Sequence, residues 1–425
     1  INLGGTNMNS NDDGESANAL LTTLKEYEHL ETLELQLSEI GLIGCTTLST
    51  LLRSPNCRLQ KLDLCDSGID NNGLGSLISS LANNTVLQEL ILSNNHSITP
   101  VGWTPLLTLL QYPNCNLKSL SLDVNTINND IAVALVTSLT NNHTLKKLRL
   151  GGNPFITTPG FVAISALLQI PGTSLEHLDL QENGIGDDVA VALANSLANN
   201  CTLKILGLGN NPSITTAGFI ALSALLRNPD SQLISLDLKE NNIDDDSAIA
   251  FAASLINNHK LEYLNLGRPP PITAPGWVAF ARLLCDTSSI NNTYLSNHTL
   301  CSVGYFLQRL PDTDEVSWYL KLNTRDKRCR RRKILINHFC GDFGMEPFAE
   351  MKSELLVHVL AWISKLGSEG RKANCCISQS ALFHFLRSEL SLFGRLGKAH
   401  PKEKVGVCHL MKDDADVKAC KKMRV

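Results

Sequence analysis

From Leu30 to Leu266 the apolar positions follow two alternating rhythms. The first is Leu-x-x-Leu-x-Leu, as at Leu175–Leu180, whose alternating leucines point to one face of a short strand. The second spaces apolar residues three and four apart, as in Val189, Val191, Leu193, Ala194 and Leu197, and predicts a helix. One strand and one helix make a unit, and the units alternate in length. Leu175–Thr202 has 28 residues and Leu203–Gln232 has 30, so the double unit is 58. A shift of 58 carries Leu59 to Leu117, Leu175 and Leu233, and Leu87 to Leu145, Leu203 and Leu261. A period in this range marks a solenoid, in which no unit can bury its apolar face alone and stability comes from stacked neighbours.

Polar positions repeat as strictly as the leucines. Position nine is asparagine at Asn95, Asn125, Asn153, Asn183, Asn211 and Asn241, with Ser67 and Pro269 in the same register at the two ends. A buried amide there can bond backbone groups of adjacent turns, and its loss leaves buried polar groups unpaired at roughly 1–3 kcal/mol. Pro55, Pro113, Pro171 and Pro229 stop the longer helices. Gly44, Gly102, Gly160, Gly218 and Gly276 precede Cys45, Trp103, Phe161, Phe219 and Trp277, a recurrence that predicts packing and not a cofactor box. The shorter helices close on Asn83-Asn84, Asn141-Asn142, Asn199-Asn200 and Asn257-Asn258, where asparagine is expected to take a left-handed cap. The acidic runs Asp187-Asp188 and Asp244-Asp245-Asp246 lead into helices, where capping is a better reading than cation binding.

The strand motif recurs nine times, and on those residues the chain resembles leucine-rich repeat proteins of the ribonuclease-inhibitor-like class over about residues 1–285. LLCDTSSI (Leu283–Ile290), with the later PFAEM, LLVHVLAWI and ALFHFL, also resembles large leucine-rich-repeat families of diatoms and related algae. The resemblance implies an α/β fold: a right-handed solenoid with a curved parallel sheet inside and helices outside, followed by a small C-terminal α-helical region. The expected organisation is a truncated first repeat over 1–29, repeats over 30–285, a capping segment over 286–310, a helical region over 311–396 and a Lys-rich tail over 397–425. The chain opens inside a repeat, with a helix expected over about Ser16–Glu28, and reads as a fragment or as lacking its N-terminal cap. Asn291–Leu300 is expected to give a last strand or a lid. Met345–Leu366 and Ser380–Phe393 read as amphipathic helices that pack together or cover the end of the array.

Charge divides the chain. Residues 1–310 hold 15 Lys+Arg against 27 Asp+Glu, and residues 311–425 hold 22 against 14. An acidic array argues against nucleic-acid binding through the solenoid. The basic run Lys327–Lys333 reads either as a solvated helix start or as a nuclear-import or anionic-surface contact. Thirteen scattered cysteines without a CxxC pair predict a reduced intracellular setting, cytoplasmic in the first place, with Cys57 and Cys115 as small packing residues. Sequons occur at Asn83, Asn95, Asn142, Asn200, Asn291 and Asn297, but glycosylation is not expected. No run is long and apolar enough to span a bilayer. There is no P-loop, no dinucleotide fingerprint, no HExxH and no nucleophile elbow, and the eleven histidines do not cluster. Neither enzyme activity, cofactor nor metal is expected.

The residues beside the inward leucines vary between units, and they line the concave sheet face. Nine strands at about 4.8 Å give a face on the order of 40 Å long, enough for a protein partner. Its candidate contacts are Asp63, Glu89, Lys147, Arg149, His177, Asp179, Asp237, Lys239 and Tyr263, with Arg149, His177 and Tyr263 as the anchors. The alternative is that they are solvated strand residues of a scaffold that binds elsewhere. The function expected is a non-enzymatic interaction protein whose partner the sequence does not identify. Rival readings are an activator of the Ran GTPase, from a related repeat class with an acidic tail where this chain ends basic, and the sensing part of an F-box or NLR-like protein. A structural subunit of a larger assembly is a further rival.

Overall fold

The computed structural model describes residues 1–3, 23, 29–112, 114–267, 272–304, 314–325, 330, 333–334 and 337–338. Strand and helix alternate as the two rhythms predict: β1 (Thr32–Glu34), α1 (Gly41–Leu52), β2 (Lys61–Asp63), α2 (Asn71–Leu81), β3 (Glu89–Ile91), α3 (Thr104–Leu110, after a 3-10 turn), β4 (Ser119–Ser121), α4 (Asn129–Leu139), β5 (Lys147–Arg149) and α5 (Thr158–Leu167). Then come β6 (His177–Asp179), α6 (Asp187–Leu197), β7 (Ile205–Gly207), α7 (Thr216–Leu225), β8 (Ser235–Asp237), α8 (Asp245–Ser254), β9 (Tyr263–Asn265) and α9 (Ala274–Leu284). The nine strands form one parallel sheet in sequence order, an α/β solenoid. Two compact units divide the chain: Ile1–Gly276 with Ser302–Phe306, and Trp277–Cys301 with the chain from Leu307.

In the first unit the middle leucines, from Leu33 to Leu264, are buried in every strand. The asparagine ladder forms as predicted. Asn153 donates from Nδ2 to the carbonyls of Leu122, Leu150 and Gly151, and its Oδ1 accepts from the Asn125 backbone N–H. Asn183 accepts the Asn153 N–H in turn, and Asn241 that of Asn211. Ser67 reaches only the carbonyls of Leu35 and Cys65. Pro269 lies outside the described residues. Cys45, Trp103, Phe161 and Phe219 are buried as packing residues, as are Cys57 and Cys115. At the start of the chain Asn2 bridges Glu34 in parallel, so the opening residues continue the sheet by one more turn. The helix expected over Ser16–Glu28 lies outside the described residues.

Two helix-end readings are corrected. The Asn-Asn pairs do not take a left-handed cap, since none of them is among the positive-φ residues. The second asparagine works through its side chain: Asn142 Nδ2 donates to the Leu110 carbonyl of the preceding unit while its Oδ1 accepts from Thr144 and Leu145 N–H. Asn84, Asn200 and Asn258 repeat this. An amide serves two units at once because it carries both a donor and an acceptor. The acidic residues are also split in role. Asp244 caps its own helix at Ser247 N–H, but Asp187 and Asp245 reach forward to cap the next one. Asp187 Oδ1 accepts from Thr215 and Gly218 N–H, and Asn71 and Asn129 hold the equivalent place on Thr99 and Thr157. This explains the recurring glycine. A Cβ on Gly160 or Gly218 would stand 2.5 or 2.4 Å from the capping oxygen.

The second unit contains the rest of α9, where Trp277 and Phe280 stack with centroids 6.0 Å apart, then α10 (Ile290–Leu295) and α11 (Asp314–Arg325). The expected last strand over Asn291–Leu300 is not formed: the first half, to Leu295, is helix and the rest is irregular. The extra sheet contact belongs to the first unit, where Ser302 bridges Tyr263 in parallel. The solvated reading of the basic run fails at Lys333, which is fully buried. Its Nζ donates to the Leu284 and Asn297 carbonyls, because oxygens at a helix end attract a cation. Arg330 is exposed and stands over the Tyr294 ring at 5.2 Å. The sequons at Asn95, Asn142, Asn200 and Asn297 fall on buried side chains. Met345–Leu366, Ser380–Phe393 and the Lys-rich tail lie outside the described residues.

Candidate protein-binding face

Strand alternation sends every second side chain away from the core. The sheet register then builds rows across the strands. One row runs Lys147, His177, Ile205, Ser235, Tyr263; the next runs Arg149, Asp179, Gly207, Asp237, Asn265. Two residues beyond lies a third row, with Asp123, Gly151, Gln181, Gly209 and Lys239 on successive units. Eight of the nine candidates therefore lie at least partly open on one face, and Asp63 does not.

Asp63 is buried: its carboxylate accepts from Gln36 Nε2 at 2.6 Å and from Cys65 N–H at 3.1 Å. Asp179 and Asp237 make the equivalent bond to the N–H two residues on, so it is Gln36 lying over Asp63 that closes it off. Glu89 is half-buried beside Lys61 and Ser119. Lys61 pairs with Glu34 at 2.9 Å at the same end of the sheet.

The centre of the face is an ionic bridge. Arg149 Nε donates to Asp123 Oδ2 at 2.7 Å, and its Nη2 stands 3.7 Å from Asp179 Oδ2. Asp123 is buried and also accepts from Gly151 N–H at 2.8 Å and Ser121 Oγ at 3.0 Å. Burial pushes its carboxyl above the usual range, with Arg149 pulling it back. Burial, with Lys147 beside it, holds His177 below the ordinary histidine value, so its imidazole is neutral near pH 7. At the next strands the side chains thin out. A Cβ on Gly207 would lie 2.6 Å from Asp179 Oδ1, and one on Gly209 2.9 Å from Lys239 Cγ. Asp179 and Lys239 thus lie over Gly207 and Gly209, which form a buried floor beneath them. Asp237 accepts from Asn265 Nδ2 at 2.9 Å and lies 3.8 Å from Lys239 Nζ. Beside this floor stand Ile205 and Tyr263, 37% and 49% exposed.

Sequence reasoning missed Asp123 and Gly209 as parts of the site. The signal was present: the alternation carried one residue past the third leucine finds Asp123 and Gly209. Among the described residues no three His, Cys, Asp or Glu side chains gather as metal ligands, and no helix is long and apolar enough to cross a membrane.

A parallel sheet with one outward row per strand, one buried amide per turn and helices on the other side defines the class. The chain is a leucine-rich repeat protein, and the leucine-rich repeat family model matches residues 83–107, 141–165, 173–194 and 232–252. It is 31% identical over 237 residues to human NACHT, LRR and PYD domains-containing protein 5, covering 56% of this chain and 20% of that protein. Human NACHT, LRR and PYD domains-containing protein 13 is 30% identical over 252 residues, covering 59% of this chain and 24% of that protein. The chain thus spans about a quarter or less of the length of the curated relatives it matches. Among solved structures, the yeast Rad7 and Elc1 complex is similar at 21% identity and a TM-score of 0.41, covering 61% of this chain and 69% of that one.

Proposed function

We propose that the protein is a non-enzymatic scaffold that binds a protein partner through the open face of its sheet, on strands β5 to β9. The observation that carries this reading is the pair of exposed apolar side chains, Ile205 and Tyr263, on one row of the sheet beside the fixed Arg149. Ile205 and Tyr263 stand exposed as apolar anchors, and Arg149 offers a guanidinium already fixed by two carboxylates. Hot spots are aromatic or arginine side chains that need no further ordering. The partner matched to this surface brings a narrow apolar segment, flanked by a donor for Asp179 or Asp237.

A second reading is favoured by the relatives. Their printed names join leucine-rich repeats to NACHT and PYD domains, so the array is also read as the sensing part of a larger NLR-like protein. Both readings use the same face. The test is affinity capture of the full chain from its source cells beside an Arg149→Glu/Tyr263→Ala variant of unchanged circular dichroism. A dominant partner lost in the variant supports the sheet face. A partner retained by the variant refutes it.

A further inference from the structure

The helix layer carries a second pattern that the fold does not require. Val133, Val162, Val191, Ile220 and Ile249 recur every 29 residues on the solvent side of α4 to α8, each between 41% and 49% exposed. The same place is Thr46, Gly75 and Thr104 in α1 to α3, so a unit folds without an apolar residue there. β-branched residues are also poorer helix formers than the alanine that follows each of them, from Ala134 to Ala250. Five exposed aliphatic rungs thus stand where neither the core nor helix propensity calls for them. One edge of the strip is acidic. Three residues before alternate rungs, Asp130, Asp188 and Asp246 are exposed. The other edge, at Thr140, Gln169, Ala198 and Arg227, carries no acid.

We propose that the solvent face of α4 to α8 is a docking strip for a basic amphipathic helix laid across the layer. The spacing sets its pattern. Neighbouring helices pack about 10 Å apart, and residues seven apart on a helix are separated by about 10.5 Å and stay on one face. A helix of about 28 residues spans the five rungs with an apolar residue at every seventh position. The acids recur every second unit, about 20 Å, which matches Lys or Arg every fourteenth residue along one edge. The strip alone, about 40 Å by 10 Å, falls short of the roughly 800 Å² per side of a standard stable interface. It fits one helix better than a second copy of this chain.

The test uses the full chain and a fluorescein-labelled peptide of about 29 residues, with leucine at every seventh position and lysines along one edge, beside a shuffled peptide of the same composition. Anisotropy is expected to give saturable binding of the spaced peptide, weakened about tenfold or more in Val191→Asp/Ile220→Asp, where burial against leucine would strip a new carboxylate of water. Asp188→Asn/Asp246→Asn is expected to weaken binding severalfold at low salt and little at high salt. All these positions are exposed, and unchanged circular dichroism and urea midpoints confirm the fold. Equal binding of spaced and shuffled peptides, or full binding by the rung variant, overturns the proposal. So does a wild-type dimer that the rung variant abolishes, which would give the strip to a second copy. Sedimentation with phosphatidylcholine vesicles lost in that variant would give it to a lipid surface, and equally refutes the helix.

Discussion

Replacing Asn153 by alanine tests whether the amide ladder holds the units together. Asn153 is fully buried, so water cannot take over its bonds. The three carbonyls it serves are each left with another donor: Leu122 keeps Asn125 Nδ2, Leu150 keeps Asn183 Nδ2, and Gly151 keeps the Val124 N–H. The Asn125 N–H has no such substitute, because Asn153 Oδ1 is its acceptor. One orphaned buried donor costs about 1–3 kcal/mol, and each of the three lost bonds contributes part of a net 0.5–1.5 kcal/mol. Asn153→Ala is therefore expected to destabilise the array by about 2–4 kcal/mol. Asn153→Asp keeps an acceptor for Asn125 but turns lone pairs toward three carbonyls. Its cost at pH 7 is expected to exceed that of alanine, and the excess to shrink at pH 4 as the carboxyl protonates. The measurement is urea unfolding followed by circular dichroism. Because contacts run only between neighbours, the transition of the alanine variant is also expected to broaden or split. A midpoint corresponding to less than about 0.5 kcal/mol of loss, at unchanged slope, would refute the ladder as a source of stability.

Three further outcomes follow from single sites. His298 in the second unit is held down to about 3 by burial, with the Lys333 ammonium 3.3 Å away. Between that value and the ordinary 6.5 the unfolded chain binds the extra proton, so stability falls as pH drops through 6.5 toward 3, by up to about 1.4 kcal/mol per unit. The loss is expected to be smaller in His298→Gln when unfolding free energies at pH 7 and pH 5 are compared; equal losses in both proteins would remove the assignment. Val124 takes φ 54° in a column otherwise held by Leu37, Asp66, Asn94, Gly152, Glu182, Asn210 and Glu240, and as its one β-branched member it is strained there. Val124→Asn is expected to raise the urea midpoint by up to about 1 kcal/mol, and a lowered midpoint would contradict the strain. Trp103 buries its indole Nε1 without a hydrogen-bond partner. Trp103→Phe, the residue two other units carry at this place, is expected to cost less than about 1 kcal/mol, since a smaller core is offset by a donor that no longer goes unpaired. A loss of several kcal/mol would mean the nitrogen is satisfied after all.

The nine strands were legible because Leu-x-x-Leu-x-Leu states a local rule, and the asparagine ladder because one polar residue recurring at a buried register leaves little else for it to do. What was not legible depends on where a side chain reaches. Asp187 looks like an ordinary capping residue of its own helix, and only the Gly218 backbone beneath its oxygen shows that it caps the next one. Asp63 and Asp179 occupy the same strand position and both accept from the N–H two residues on, yet Asp63 is also held by Gln36 and is buried, while Asp179 lies over Gly207 and stays half-open. Lys333 shows the same limit: in sequence it ends a basic run, and in space it sits against two carbonyls that make its charge structural. Alternation assigns a residue to a face. Whether that residue is free for a partner depends on the neighbouring unit, about 28 to 30 positions away.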